Sequence, residues 1–72
     1  MVVYPTWTAA LQALLEQPGR ALARRAGIPQ AMWSRWHTGG SEPTAAVMRR
    51  VCGSLGVVVS VSAAGYSAAR LS

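Results

Sequence analysis

The stretch ALARRAGIPQAMWSRWHTGG, residues 21–40, decides how this chain folds. Leu22, Ala23 and Ala26 make the small inward face of a short helix, RALARRA, whose Arg20, Arg24 and Arg25 point largely away from it. Gly27 sits where a left-handed residue closes a helix. Pro29 suits the first turn of the next one, because its missing N–H would be unpaired there anyway. That next helix spans about residues 29–38. Trp33 and Trp36, three apart, share its inward face, with Met32 nearby, while Gln30, Ala31, Ser34, Arg35 and Thr38 fall on a polar face opposite. Gly39-Gly40 ends it.

Working outward, Trp7, Ala10, Leu11, Leu14 and Leu15 recur at helical spacing and predict a first helix from about Thr6 to Gln17. Thr6 or Thr8 caps its start, and Pro18-Gly19 stops it. On the other side, Thr44 is the expected cap of a fourth helix. Its apolar stripe is Met48, Val51, Cys52 and Leu55, with Arg49 and Arg50 off the stripe, and Gly56 closes it. In VVVSVS, Val57, Val59 and Val61 alternate with Val58, Ser60 and Ser62, the pattern of a half-buried strand. Its partner is expected to be MVVY at residues 1–4 or the same strand of a second chain. The fold class is therefore mainly α, a compact four-helix domain over residues 1–62 with a strand at 57–62. Residues 63–72 read as a loosely ordered tail.

Seventy-two residues hold one small core. Such a core needs economical packing, a staple or a partner. Cys52 is the single cysteine and His37 the single histidine. A disulfide within the chain is thus excluded, no metal site is expected, and dimerisation is the first alternative to suspect. The start, MVVYPTW, lacks a charged leader region, and the longest valine run, residues 57–59, is far short of the roughly 20 residues of a membrane helix. No membrane association and a cytoplasmic location are expected. All seven basic residues are arginine, against Glu16 and Glu42, for a net charge of +5. Four of them, Arg20, Arg24, Arg25 and Arg35, lie between the two glutamates in an acid-free segment. That distribution points to a polyanion such as nucleic acid.

Two short helices joined by a tight glycine turn form a helix-turn-helix. In DNA binders the outer face of the second helix enters the major groove. From Gly19 to Val61 the chain resembles the Cro/repressor (Xre-type) helix-turn-helix family of phage repressors, antitoxins and restriction controllers. The matching residues are LARRAG, Gln30 opening the third helix, SRW at Ser34 to Trp36, Gly39, and the run EPTAAVMRRVCGSLGV. The resemblance implies a transcriptional regulator, a Cro-like repressor, that binds a palindromic double-stranded operator as a homodimer. It implies base contacts from Gln30, Ala31, Ser34 and Arg35. Ala31 touches only a thymine methyl, while Arg35 suits a bidentate bond to guanine. Thr38 matches a phosphate-contacting position. Arg20, Arg24, Arg25 and His37 join it as expected phosphate contacts.

Two departures stand out. The family usually has a polar side chain, often glutamine, where this chain has Gly19, so Arg20 or backbone N–H groups are expected to take over that contact. His37 replaces a frequent glutamate, which removes an acid beside DNA. The competing reading is an antitoxin-like or adaptor module that binds protein, a toxin for instance, and it requires an acidic or apolar outer face on the third helix. Enzymatic activity is not expected, and neither is a cofactor: two glutamates, one histidine and one cysteine on different elements offer no convergent acid–base pair.

Overall fold

The computed structural model describes residues 2–71. Four helices, α1 (Trp7–Leu15), α2 (Gly19–Ala26), α3 (Gln30–Thr38) and α4 (Ala45–Leu55), precede two strands, β1 (Val57–Ser62) and β2 (Gly65–Arg70). The accessible surface, 4463 Å², matches the about 4300 Å² expected of a compact monomer of this mass. The core therefore closes within one chain.

Each helix boundary has a chemical cause. The Thr6 side chain accepts from the Ala9 N–H, and Thr44 accepts from Val47 N–H in the same way. Gly27, Gly39 and Gly56 take left-handed conformations at the ends of α2, α3 and α4. The expected stop at Pro18-Gly19 is displaced. α1 ends at Leu15, because Glu16 itself turns left-handed with φ 53°, and Gly19 is the first residue of α2, behind an extended Pro18.

Leu11, Leu22, Val51 and Trp33 are sealed from solvent at the centre. The indole of Trp33 also forms a triangle with those of Trp7 and Trp36, with centroids 6.0, 6.1 and 6.2 Å apart, in tilted and edge-on geometries that favour aromatic contacts. A nine-residue helix such as α3 is too short to persist alone in water. Its place is held by these two tryptophans, Trp33 and Trp36. Cys52, expected in the core, is half-buried at its margin.

Within the chain, β1 does not pair with MVVY. The residues read as a loose tail supply its partner: β2 pairs antiparallel with β1, Val57 opposite Arg70 and Ser62 opposite Gly65. Ala63 and Ala64 make the turn, with the Ser62 hydroxyl accepting from the Ala64 N–H. The N-terminal segment does join the sheet, but at the far edge of β2, where Tyr4 and Tyr66 exchange backbone bonds of 2.7 and 2.9 Å. Gly65 is needed there. A Cβ on it would meet the Tyr4 carbonyl oxygen at 2.5 Å. Met1 and Ser72 lie outside the described residues.

Candidate nucleic-acid interface

The turn between α2 and α3 is built from backbone bonds. The Ile28 N–H returns to the Ala23 carbonyl at 2.9 Å and the Gly27 N–H to Arg24 at 3.3 Å. Ala23 and Ala26 are buried where the helices cross, and Ile28 closes the corner. With Trp33 and Trp36 turned inward, Gln30, Ala31, Ser34, Arg35, His37 and Thr38 are all exposed.

The exposed residues sort into rows. Gln30 and Ser34, one turn apart, form one row, joined by a 3.3 Å bond from the glutamine amide to the serine hydroxyl. Ala31 and Arg35 form the next and line a groove of about 520 Å³ whose far wall holds Glu42, Thr44 and Val47. Thr38 folds back, its hydroxyl donating to the Arg35 carbonyl. Met32, expected to shelter beside the tryptophans, is exposed instead.

The arginines divide by role. Arg20, Arg24, Arg25 and Arg35 are exposed. Arg50 donates to the Ala26 carbonyl at 3.1 Å, capping α2 from α4, and Arg70 donates to the Leu14 carbonyl near the end of α1. Arg24 and Arg25 also lie in the last turn of α2, where a cation is favourable to the helix dipole. None of the four helices carries an acid in its first turn, so the positive ends of the dipoles are uncompensated. The acid nearest in sequence to α3, Glu42, is engaged: the Tyr66 phenol donates to its Oε1 at 2.9 Å. That bond raises the Tyr66 pKa above its usual value, with burial and the glutamate charge adding to it.

Sequence reasoning missed two participants. Thr8, considered only as a cap, is fully buried, and its hydroxyl lies 3.2 Å from His37 Nδ1. Gln12 accepts from the Trp33 indole N–H at 2.9 Å. Its position on α1 gave no signal, since the bond closes across 21 residues. The gap at Gly19 also has a cause. A Cβ there would stand 2.6 Å from Gln12 Oε1 and 2.7 Å from Trp33 Nε1.

No family model, curated protein or solved structure matches the chain. Among the described residues, no three histidine, cysteine or acidic side chains gather as a metal site would require, and no helix is long and apolar enough to cross a membrane.

Proposed function

We propose that the protein is a sequence-specific, double-stranded DNA-binding transcriptional regulator of the Cro/repressor type, acting as a repressor in the cytoplasm. One observation carries the reading. α3 is fixed from behind by Trp33 and Trp36 and presents Gln30, Ala31, Ser34 and Arg35 outward on a face without acid. The major groove admits a helix of this kind. Arg35 then reads guanine, Ala31 abuts a thymine methyl, and Gln30 and Ser34 act as a coupled pair. Arg20, Arg24, Arg25 and His37 serve the phosphates, and Thr38 joins them when its hydroxyl turns from the Arg35 carbonyl. An adaptor or antitoxin needs an apolar or acidic face on α3, and on that helix only Met32 is large, apolar and exposed. No catalytic step is assigned, since Glu16, His37, Glu42 and Cys52 stand apart along the chain, in different elements and loops.

The operator-bound form is proposed to be a homodimer, with a second copy seated along β1. Ladder alternation, anchored by the Leu71 N–H to Gly56 carbonyl bond and the Tyr4–Tyr66 pair, turns the backbone groups of Val59 and Val61 to the outer edge of β1. At Val59 the neighbouring group is the Cys52 thiol on α4. Burial raises that thiol's pKa, an effect tempered by the Trp7 side chain and the Val59 backbone. Val61 lies on this edge beside a groove of about 540 Å³ lined by Met48, Cys52, Val59, Val61 and Leu71. Val58, Val61 and Leu71 are exposed there. An unpaired edge flanked by apolar side chains is a template for its own copy.

Selecting bound duplexes from a random DNA pool tests the function. A recurrent two-fold symmetric sequence is expected. Recovery of unrelated sequences, or of none, overturns sequence-specific binding.

A further inference from the structure

The Thr8 hydroxyl is fully buried, so water cannot satisfy it, and burying a hydroxyl without a partner is costly. Its side-chain partners are two: Thr6 Oγ1 at 3.3 Å and His37 Nδ1 at 3.2 Å. Thr6 Oγ1 in turn accepts from the Ala9 N–H. This chain of bonds runs from the first turn of α1 to the last turn of α3, and it reverses without loss. In the neutral tautomer that carries its proton on Nε2, the Thr6 hydroxyl donates to Thr8 and the Thr8 hydroxyl donates to Nδ1. With the imidazolium, Nδ1–H donates to Thr8 and Thr8 donates to Thr6, and Nε2 again carries a proton. In both states the Thr8 hydroxyl keeps two partners. Nδ1 is turned to α1, so Nε2 lies on the opposite side of the ring, on an exposed residue one turn beyond Ser34.

We propose that Thr8 is a positioning residue for DNA: the Thr6–Thr8 hydroxyl pair holds the His37 imidazole with Nε2–H outward beside the reader face, where it donates to a backbone phosphate in either charge state. The inference rests on the DNA-binding reading above. The elements packed around the ring bring no free acid to it. α1 brings Thr6, Trp7 and Thr8, with no acid in its first turn. α3 brings Arg35, in the same last turn. Glu42, in the following loop, is held by Tyr66. A phosphate favours the cation over the neutral ring, so the contact is expected to tighten as pH falls.

The experiment compares the intact protein with Thr8→Val, Thr8→Ser, His37→Ala and the Thr8→Val/His37→Ala pair. Affinity for a selected duplex and a scrambled duplex is measured from about pH 5.5 to 8, a range that brackets imidazole titration. Thr8→Val is expected to weaken both duplexes about three- to tenfold and to flatten the pH profile. Thr8→Ser restores both, and Thr8→Val adds nothing once His37 is alanine. An unchanged affinity and pH profile in Thr8→Val overturns the inference, as does equal weakening in the His37→Ala background. His37 is exposed, so its alanine variant decides the matter if Thr8→Val does not fold. In that case a pH profile as steep as the parent's overturns the proposal. Failure of the intact protein to bind either duplex overturns the functional reading and the phosphate contact with it. Binding by the intact protein with no response to Thr8→Val overturns only the inference.

Discussion

Gly19 and Trp33 occupy a single space: the glycine opens α2 without a side chain, and the indole Nε1 of α3 fills the volume a Cβ would need, 2.7 Å from it. Gln12 completes the arrangement by accepting the indole N–H. What looks in the sequence like a missing polar residue is therefore room made for a tryptophan, and the same indole seats the reader helix.

Gly19→Ala is expected to destabilise the protein, although alanine is the better helix former. Overpacking against the indole and the Gln12 oxygen costs about 1–3 kcal/mol. Urea unfolding followed by tryptophan fluorescence measures it. A variant as stable as the parent would show that Trp33 moves aside freely.

Arg35→Ala and Arg24→Ala are expected to differ in kind. Removing a guanine-reading Arg35 costs about 1–3 kcal/mol per half-site and relaxes base preference. Arg24→Ala should weaken all sequences alike and make the salt dependence shallower, by about 0.9 in slope for every phosphate left without its arginine. Titrations of cognate and scrambled duplexes at several salt concentrations separate the two. If Arg35→Ala keeps the preference intact, another residue is the reader.

The phenol of Tyr66 is expected to titrate later than that of an ordinary tyrosine, and Glu42→Gln should bring it back toward normal. Because the folded pKa is the raised one, the stability this group contributes is present in full below the unfolded value, about 10, and is lost as pH rises through the folded value. Tyrosinate absorbance with alkaline unfolding curves checks both points. A Glu42→Gln variant with the parent's titration curve would place the cause elsewhere.

The chain is expected to self-associate through the open end of β1. Val61→Asp should give a monomer with an intact fold, whereas deleting residues 1–4 should leave the dimer, because Tyr4 pairs with β2 rather than β1. Sedimentation at tens of micromolar reads both. A monomeric parent protein rules the arrangement out.

Much of the helical part was legible because its signals are local. Thr6, Thr44, Gly27, Gly39 and Gly56 act within one turn of where they stand, and Trp33 and Trp36 declare their face by spacing alone. β2 was not legible. GYSAAR contains one strong strand former, and an Ala-Ala turn lacks the Asn-Gly or Asp-Gly signal of a hairpin. Its strand character comes from neighbours: β1 on one side, and on the other Tyr4, from the opposite end of the chain. Of the site, the exposed row on α3 was readable from period. The Thr8–His37 bond was not, because it joins two helices across 29 residues.

The Tyr4–Tyr66 bridge also fixes an order of assembly. As the chain leaves the ribosome, Tyr4 emerges before all four helices and β1, and its partner Tyr66 exists only after them. α2 and α3 pack mainly on other helices and are free to meet early, whereas α1 packs at least as much on β1 and β2 as on the helices. The bridge can close only after β2 has emerged, across the four helices and β1 that lie between its two residues. Until then β1 has neither edge paired, and the interval before Tyr66 arrives is when a neighbouring nascent chain competes most directly for it.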